Sequence, residues 1–151
     1  MASVALTGKD IVKIGSRVLF DFADGDVATL TFPNTLVEVK TGKGGNSIYA
    51  LNETGRTAEL SLRLIRGSSD DIYLNSLLSA QMLDFPSAIL VSGQVIKRLG
   101  DGNSVVHNDT YIVEGGVFDK NVDVNYSTDG ATDQAVSVWH IKFTNSKRAI
   151  F

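Results

Sequence analysis

The chain has no cysteine, which excludes disulfide bridges, thiolate metal sites and cysteine nucleophiles together. Synthesis in a reducing compartment fits that usage. Histidine is scarce. His107 and His140 each fall inside an expected strand with no second histidine at ligand spacing, so each reads as a polar residue on a half-exposed strand face. Positive charge is also lacking. A formal charge of −3 and a pI near 5.3 argue against a general nucleic-acid binder, which needs clustered cations to neutralise phosphates. No apolar run approaches the roughly 20 residues that span a bilayer. The opening MASVALTGKD lacks the basic region and long apolar core of a signal peptide, so a soluble chain without a cleaved export signal is expected. No G-x-S-x-G elbow ties together a serine, a histidine and an aspartate. Asp119, Asp123, Asp129 and Asp133 lack the spacing and closing glutamate of a calcium loop. No catalytic, cofactor or metal site is expected, and an enzyme is the minority reading.

What is present is strand pattern and glycine. At 151 residues with 14 glycines and two prolines, one domain with many turns is the default. A chain of this length can bury about two-thirds of its unfolded surface and needs no staples.

The organising stretch is GRTAELSLRLIRGSSDDIYLNSLLSAQML, Gly55 to Leu83. From Thr57 to Arg66 apolar and polar residues alternate. Ala58, Leu60, Leu62 and Leu64 fall on one face, and Thr57, Glu59, Ser61 and Arg63 on the other, as in a half-buried strand. Gly67 breaks the pattern, Ser68 or Ser69 is placed to cap a helix, and Asp70 and Asp71 suit the positive end of its dipole. That role explains the two aspartates better than acid–base work or metal binding. Leu74, Leu77, Leu78 and Met82 make one stripe of the helix apolar.

Upstream, Val4, Leu6, Ile11, Val12 and Ile14 suggest a short strand or an arm. Arg17–Ala23 and Val27–Phe32 read as a hairpin about Asp24-Gly25-Asp26. Leu36–Lys40 resumes alternation, then comes the glycine-rich TGKGGNS, Thr41 to Ser47, then apolar Ile48 to Leu51. A phosphate-cradling loop is excluded because no helix follows. What remains is a mobile hairpin or an arm that folds onto a neighbouring subunit. Downstream, Phe85-Pro86 forces a bend and Ala88–Leu99 is a strand. Val105–Glu114 and Val117–Tyr126 read as strands joined at Gly115-Gly116. Ala135–Phe143 is the last strand, followed by a basic then apolar tail. The expected fold is mainly β: a two-sheet β-barrel or sandwich with one flanking α-helix and a long glycine-rich hairpin loop, since sheet edges must be hidden.

The segment Leu36 to Leu83 resembles the tail tube proteins of long-tailed bacteriophages. Three features carry the likeness in order: TGKGGNSIYAL, the strand opening GRTAELSLRL, and the serine-capped helix GSSDDIYLNSLL. It is most similar to the tubes of contractile-tailed phages, whose fold is shared with R-type bacteriocin and type VI secretion tubes. The resemblance implies that residues 1–151 form a single tail-tube-like β-barrel domain. It implies hexameric rings stacked into a hollow conduit for genome ejection, in a virion tail made in the host cytoplasm. It also implies self-association, sheath, baseplate and tail terminator proteins as partners, and DNA passing through the lumen without specific binding.

On that reading Thr41, Gly42, Lys43, Gly44, Gly45, Asn46, Ser47, Ile48 and Tyr49 form an inter-subunit loop. Thr57, Glu59, Ser61 and Arg63 face the lumen, and Lys147, Arg148, Ile150 and Phe151 form an inter-ring tail. The alternative from another class is a monomeric small-molecule-binding β-barrel, which would enclose an apolar pocket.

Overall fold

The alternation at Ala58–Ile65 builds the strand that the rest of the molecule packs around. In the computed structural model, which describes residues 2–8 and 10–151, Ala58, Leu60, Leu62 and Leu64 are all buried, with Glu59, Ser61 and Arg63 half-exposed between them. Met1 and Lys9 of the expected N-terminal arm lie outside the described residues. In chain order the strands are β1 (Ala5–Leu6), β2 (Ile11–Ile14), β3 (Arg17–Val18), β4 (Ala28–Thr31), β5 (Val37–Thr41), β6 (Ser47–Leu51) and β7 (Ala58–Ile65). The helix α1 (Ser69–Leu83) follows, then β8 (Val91–Gly100), β9 (Val106–Val117), β10 (Asp123–Val124) and β11 (Val136–Ile150). The fold is thus mainly β with one α-helix, as expected.

One antiparallel sheet runs in the order β3-β2-β8-β9-β11-β7-β4, with β1 also on β8 and β10 also on β11. Strands β5 and β6 form a separate two-stranded sheet, the glycine-rich hairpin. The large sheet curls without closing into a barrel; a lone bridge between Phe22 and Leu64 ties its two margins at one corner. Its concave face and α1 enclose the core of Trp139, Ile141 and Phe143 from β11, Leu60 to Leu64 from β7, Ile14 from β2 and Leu74 from the helix. Each large side chain buried there contributes roughly 1.5–3 kcal/mol.

The helix starts as expected. Gly67 takes a φ of +80°, and the Ser68 hydroxyl accepts from the Asp71 N–H at 3.3 Å. Its buried stripe differs from the expected one. Leu74, Leu77 and Leu78 pack inward, but Met82 is 70% exposed and buried Gln81 completes the stripe. The Gln81 amide donates to the Phe118 carbonyl at 3.0 Å and accepts from the Phe118 N–H at 2.9 Å, so its burial is compensated.

Three expectations are corrected. Arg17–Ala23 and Val27–Phe32 do not pair with each other. Arg17 and Val18 pair with β2, whereas Phe22 lies opposite Leu64, Ala28 opposite Leu62 and Leu30 opposite Leu60, so the chain from Asp21 to Thr31 runs one way along β7. The Asp24-Gly25-Asp26 segment is an excursion from that edge, spanned where Ala23 donates to the Arg63 carbonyl and Val27 accepts from the Arg63 N–H. Gly115-Gly116 is not a turn between strands. It is a bulge inside β9, where Val91 to Gly93 faces Val113 to Gly116 with one extra residue and Gly115 has φ +66°. Finally, the last strand does not end at Phe143: β11 continues to Ile150, opposite Asp109 of β9.

Asp70 and Asp71 do more than favour a helix dipole. Asp70 is fully buried; it accepts from Arg17 Nε at 2.7 Å and from the N–H groups of Phe20 and Asp21 at 2.6 and 2.8 Å. The Asp21 carboxylate accepts in return from the Asp70 N–H. Burial pushes the Asp70 carboxyl upward, but the Asp21 N–H, the Arg17 guanidinium and the Phe20 N–H outweigh it and hold the group below its ordinary value. Asp71 accepts from Trp139 Nε1 at 2.9 Å and from the Gly67 N–H. The two carboxylates therefore lock the helix start to β11 and to the segment that ties the sheet corner.

Candidate functional site

Two surfaces carry the residues expected to act in assembly. The first is the hairpin β5–β6. Its register pairs Val37 with Leu51, Val39 with Tyr49 and Thr41 with Ser47 on one side, and Glu38 with Ala50 and Lys40 with Ile48 on the other. Residues directly opposite in an antiparallel pair share a face. The hairpin is therefore amphipathic, with Val37, Val39, Tyr49 and Leu51 on one face. Every residue of both strands is exposed, so that apolar face is largely open to solvent in the subunit. A two-stranded sheet alone in water is marginally stable, which makes an uncovered apolar face costly.

The tip is ordered by its own backbone. Gly42 donates to the Asn46 carbonyl at 2.7 Å, Gly45 donates to Gly42, and Gly45 takes φ +85°, which a side chain would disfavour. Within the loop set, Thr41 and Ser47 to Tyr49 are strand residues, and Gly42 to Asn46 are the turn. At the hairpin base, Phe32 stacks on Tyr111 at 5.8 Å beside Leu36 and Gly55, lining an open groove of about 440 Å³.

The second surface is the convex face of β7. Glu59, Ser61 and Arg63 share it, and Thr57 lies just before the strand, half-buried. Register adds residues that sequence reading did not place there: Thr31 and Lys142 flank Glu59, Thr29 and His140 flank Ser61, and Val138 flanks Arg63. The alternation of β11 signals which of its residues share a face, but not their partners. Arg63 approaches Asp24 at 3.5 Å and Lys142 lies 3.9 Å from Glu59, while the His140 ring hydrogen-bonds the Asp123 carboxylate at 2.7 Å. Such exposed pairs contribute little stability, but they leave a polar wall of nearly balanced charge.

The tail set is divided. Lys147 pairs with Ile112 and Arg148 with Tyr111 across the β11–β9 ladder. The Arg148 guanidinium donates twice to Asp109, at 2.8 and 2.7 Å, and holds that carboxyl below its usual value. Phe151 exchanges backbone bonds with Asn108 while its side chain stays exposed, as does that of Ile150.

A third surface was not singled out from sequence. Around the end of α1, Met82, Leu83, Phe85, Ile89 and Leu90 are all exposed, with Asp84 the one charge among residues 82–90. The signal was the run MLDFPSAIL itself, which was read piecemeal as the end of the helix stripe (Met82), a proline bend and the start of a strand at Ala88, whereas β8 begins only at Val91. Among the described residues no cluster of three or more metal-ligating side chains occurs, and no helix is long and apolar enough to cross a membrane.

No protein-family model matches the chain, and no curated protein matches its sequence. Solved structures do match its fold. One is a chain of the cryo-EM structure of an extracellular contractile injection system, the PVC sheath-tube complex in its extended state. It aligns with a TM-score of 0.54 over 94% of this chain and 87% of that one, at 11% identity. The chain therefore shares its fold with a chain of a contractile injection system's sheath-tube complex.

Proposed function

We propose that this chain is a structural tube subunit, whose copies join into hexameric rings and stack into a hollow tail tube for genome ejection. The observation that carries the reading is the hairpin β5–β6. A contractile-tail-tube-like fold presents a two-stranded arm whose Val37, Val39, Tyr49 and Leu51 face is uncovered in the isolated subunit. Covering it with another copy removes apolar surface from water. A contact between different surfaces of identical chains propagates into rings or filaments.

In this reading residues 1–151 act as one tube-forming domain, and the loop Thr41 to Tyr49 makes the contact between subunits. The β7 face with Thr57, Glu59, Ser61 and Arg63 lines the lumen. The exposed side chains of Ile150 and Phe151, beside Lys147 and Arg148, meet the next ring. The location is the tail of a virion assembled in a host cytoplasm. Sheath, baseplate and terminator proteins are the further partners, and DNA passes without being held.

The small-molecule-binding barrel fits less well, because the space between sheet and helix is filled by Trp139, Phe143, Leu62 and Leu74. Electron microscopy of the purified protein over a concentration series tests the proposal. Rings or tubes of uniform diameter are expected; a particle of subunit mass at every concentration overturns it.

A further inference from the structure

The shelf at the end of α1 has a defined shape. Leu83 is 88% and Ile89 92% exposed, and between them a groove of about 330 Å³ opens onto Leu77, Val91 and Phe118. At roughly 100 Å² of apolar surface for each large side chain, Met82, Leu83, Phe85, Ile89 and Leu90 expose on the order of 500 Å². That is near the upper end of what a monomer ordinarily leaves open, and it marks an interaction surface.

We infer that this shelf is the receptor for the β5–β6 hairpin of a second copy, with Tyr49 or Leu51 entering the groove. The inference deepens the tube reading, on which it rests for the identity of the occupant. The hairpin and the shelf are both large exposed apolar surfaces with no partner within the subunit. Their sizes correspond, since four large side chains on the hairpin face present on the order of 400 Å². Their charges are compatible: the shelf carries only Asp84, and the hairpin face with Val37, Val39, Tyr49 and Leu51 carries no charge, Glu38 and Lys40 lying on the other face. The combined area is on the order of 900 Å², below the ~1,200–2,000 Å² of a stable pairwise interface. A single contact is therefore weak. Each copy offers one hairpin and one shelf and so makes the contact twice, which turns a weak pair into a concentration-dependent assembly.

The absence of cysteine makes the test clean. Tyr49→Cys protein and Ile89→Cys protein are mixed and oxidised, with Val39→Cys and Leu51→Cys repeating the hairpin arm. The expected product is the mixed disulfide dimer, formed faster than either homodimer. A shelf cysteine that joins only to itself, or to no hairpin position, overturns the inference. Separately, Ile89→Asp changes a side chain that is 92% exposed, so its melting temperature should stay within about 2 °C of the parent. It should reduce assembly as strongly as Tyr49→Asp, and the double variant should be no worse than either single. Intact assembly of Ile89→Asp also overturns the inference. If rings or tubes form but no mixed disulfide does, the tube reading stands and this one falls. If the parent forms no particles and no mixed disulfide appears, both fall.

Discussion

Replacing Asp70 with asparagine tests whether the buried carboxylate holds the helix start to the sheet corner. The side chain makes three bonds, to Arg17 Nε and to the N–H groups of Phe20 and Asp21. Asparagine keeps one carbonyl oxygen for the backbone donors but turns an NH₂ toward the Arg17 N–H, so donor meets donor. The ion pair itself is worth little, because the Arg17 side chain keeps 41% of its surface in water. The two backbone bonds lose a charged acceptor, and bonds to charged groups are worth about 1.5–3 kcal/mol each with incomplete additivity. A loss of about 2–3 kcal/mol follows, which for a chain of this size lowers Tm by roughly 5–10 °C. The assay is thermal unfolding by circular dichroism at a concentration too low for assembly, since association raises Tm by mass action. The effect depends on pH with a definite sign. The native carboxyl lies below its unfolded value of about 3.9, so its contribution is complete above that value and is lost as pH falls through the lowered native one. The gap in Tm between parent and Asp70→Asn should thus be full at pH 7 and shrink in that acid window. A gap under about 2 °C at pH 7, or one that widens in acid, refutes the clasp.

Changing Glu59 and Ser61 to lysine should leave tubes intact yet make them retain DNA at low salt, because each cation neutralising a phosphate adds salt-sensitive affinity. Lysines that block assembly and prove buried between subunits would remove these residues from the lumen. Amide hydrogen exchange across Val37–Leu51 should slow by at least tenfold on assembly, as a marginal two-stranded sheet gains cover; equal rates in free and assembled protein make it an ordinary surface hairpin. Phe151→Ser should weaken filament growth while leaving Tm unchanged, since its backbone bonds to Asn108 survive. Unchanged tube yield removes the tail from the inter-ring contact.

The elements legible in the sequence were those whose evidence is local. Strand β7 announces itself by its own alternation, the start of α1 by Gly67 and Ser68, and the β5–β6 hairpin by a glycine-rich tip between short alternating runs. The errors fell where a local signal has two meanings. Asp24-Gly25-Asp26 is good turn chemistry, but the same residues also suit a loop pushed out of an edge that continues along β7. Gly115-Gly116 reads as a turn, yet a positive φ serves a bulge equally well. The tail Lys147 to Phe151 shows no alternation strong enough to mark a strand, because its cover comes from β9, about 40 residues earlier. For the candidate site, the polar face of β7 was readable, whereas Thr29, Thr31, His140 and Lys142 joined it only through register, which a single sequence does not contain. The shelf was missed because exposed apolar residues carry the same letters as buried ones.

Gln81 shows why a polar residue is useful at the last inward position of α1, where leucine would serve a core as well. Its amide reaches across to Phe118 and makes two bonds, one in each direction, and the shelf begins at the next residue. Apolar packing alone tolerates small slides and rotations of a helix against a sheet; a paired amide fixes both position and rotation. In an assembly that repeats one contact through many copies, an angular error at that contact accumulates from copy to copy. Gln81→Met preserves volume and apolar contact but leaves the Phe118 N–H and carbonyl without partners, at a cost of about 1–3 kcal/mol for each group that stays dry. Part of that is recovered if the end of the helix shifts to admit water. The expected result is a Tm lower by roughly 3–8 °C together with tubes that are shorter or variable in diameter, at temperatures where the subunit remains fully folded. Tubes of normal diameter and length from a Gln81→Met subunit would show that the amide serves the core alone, and that the shelf does not need its exact placement to receive a neighbour.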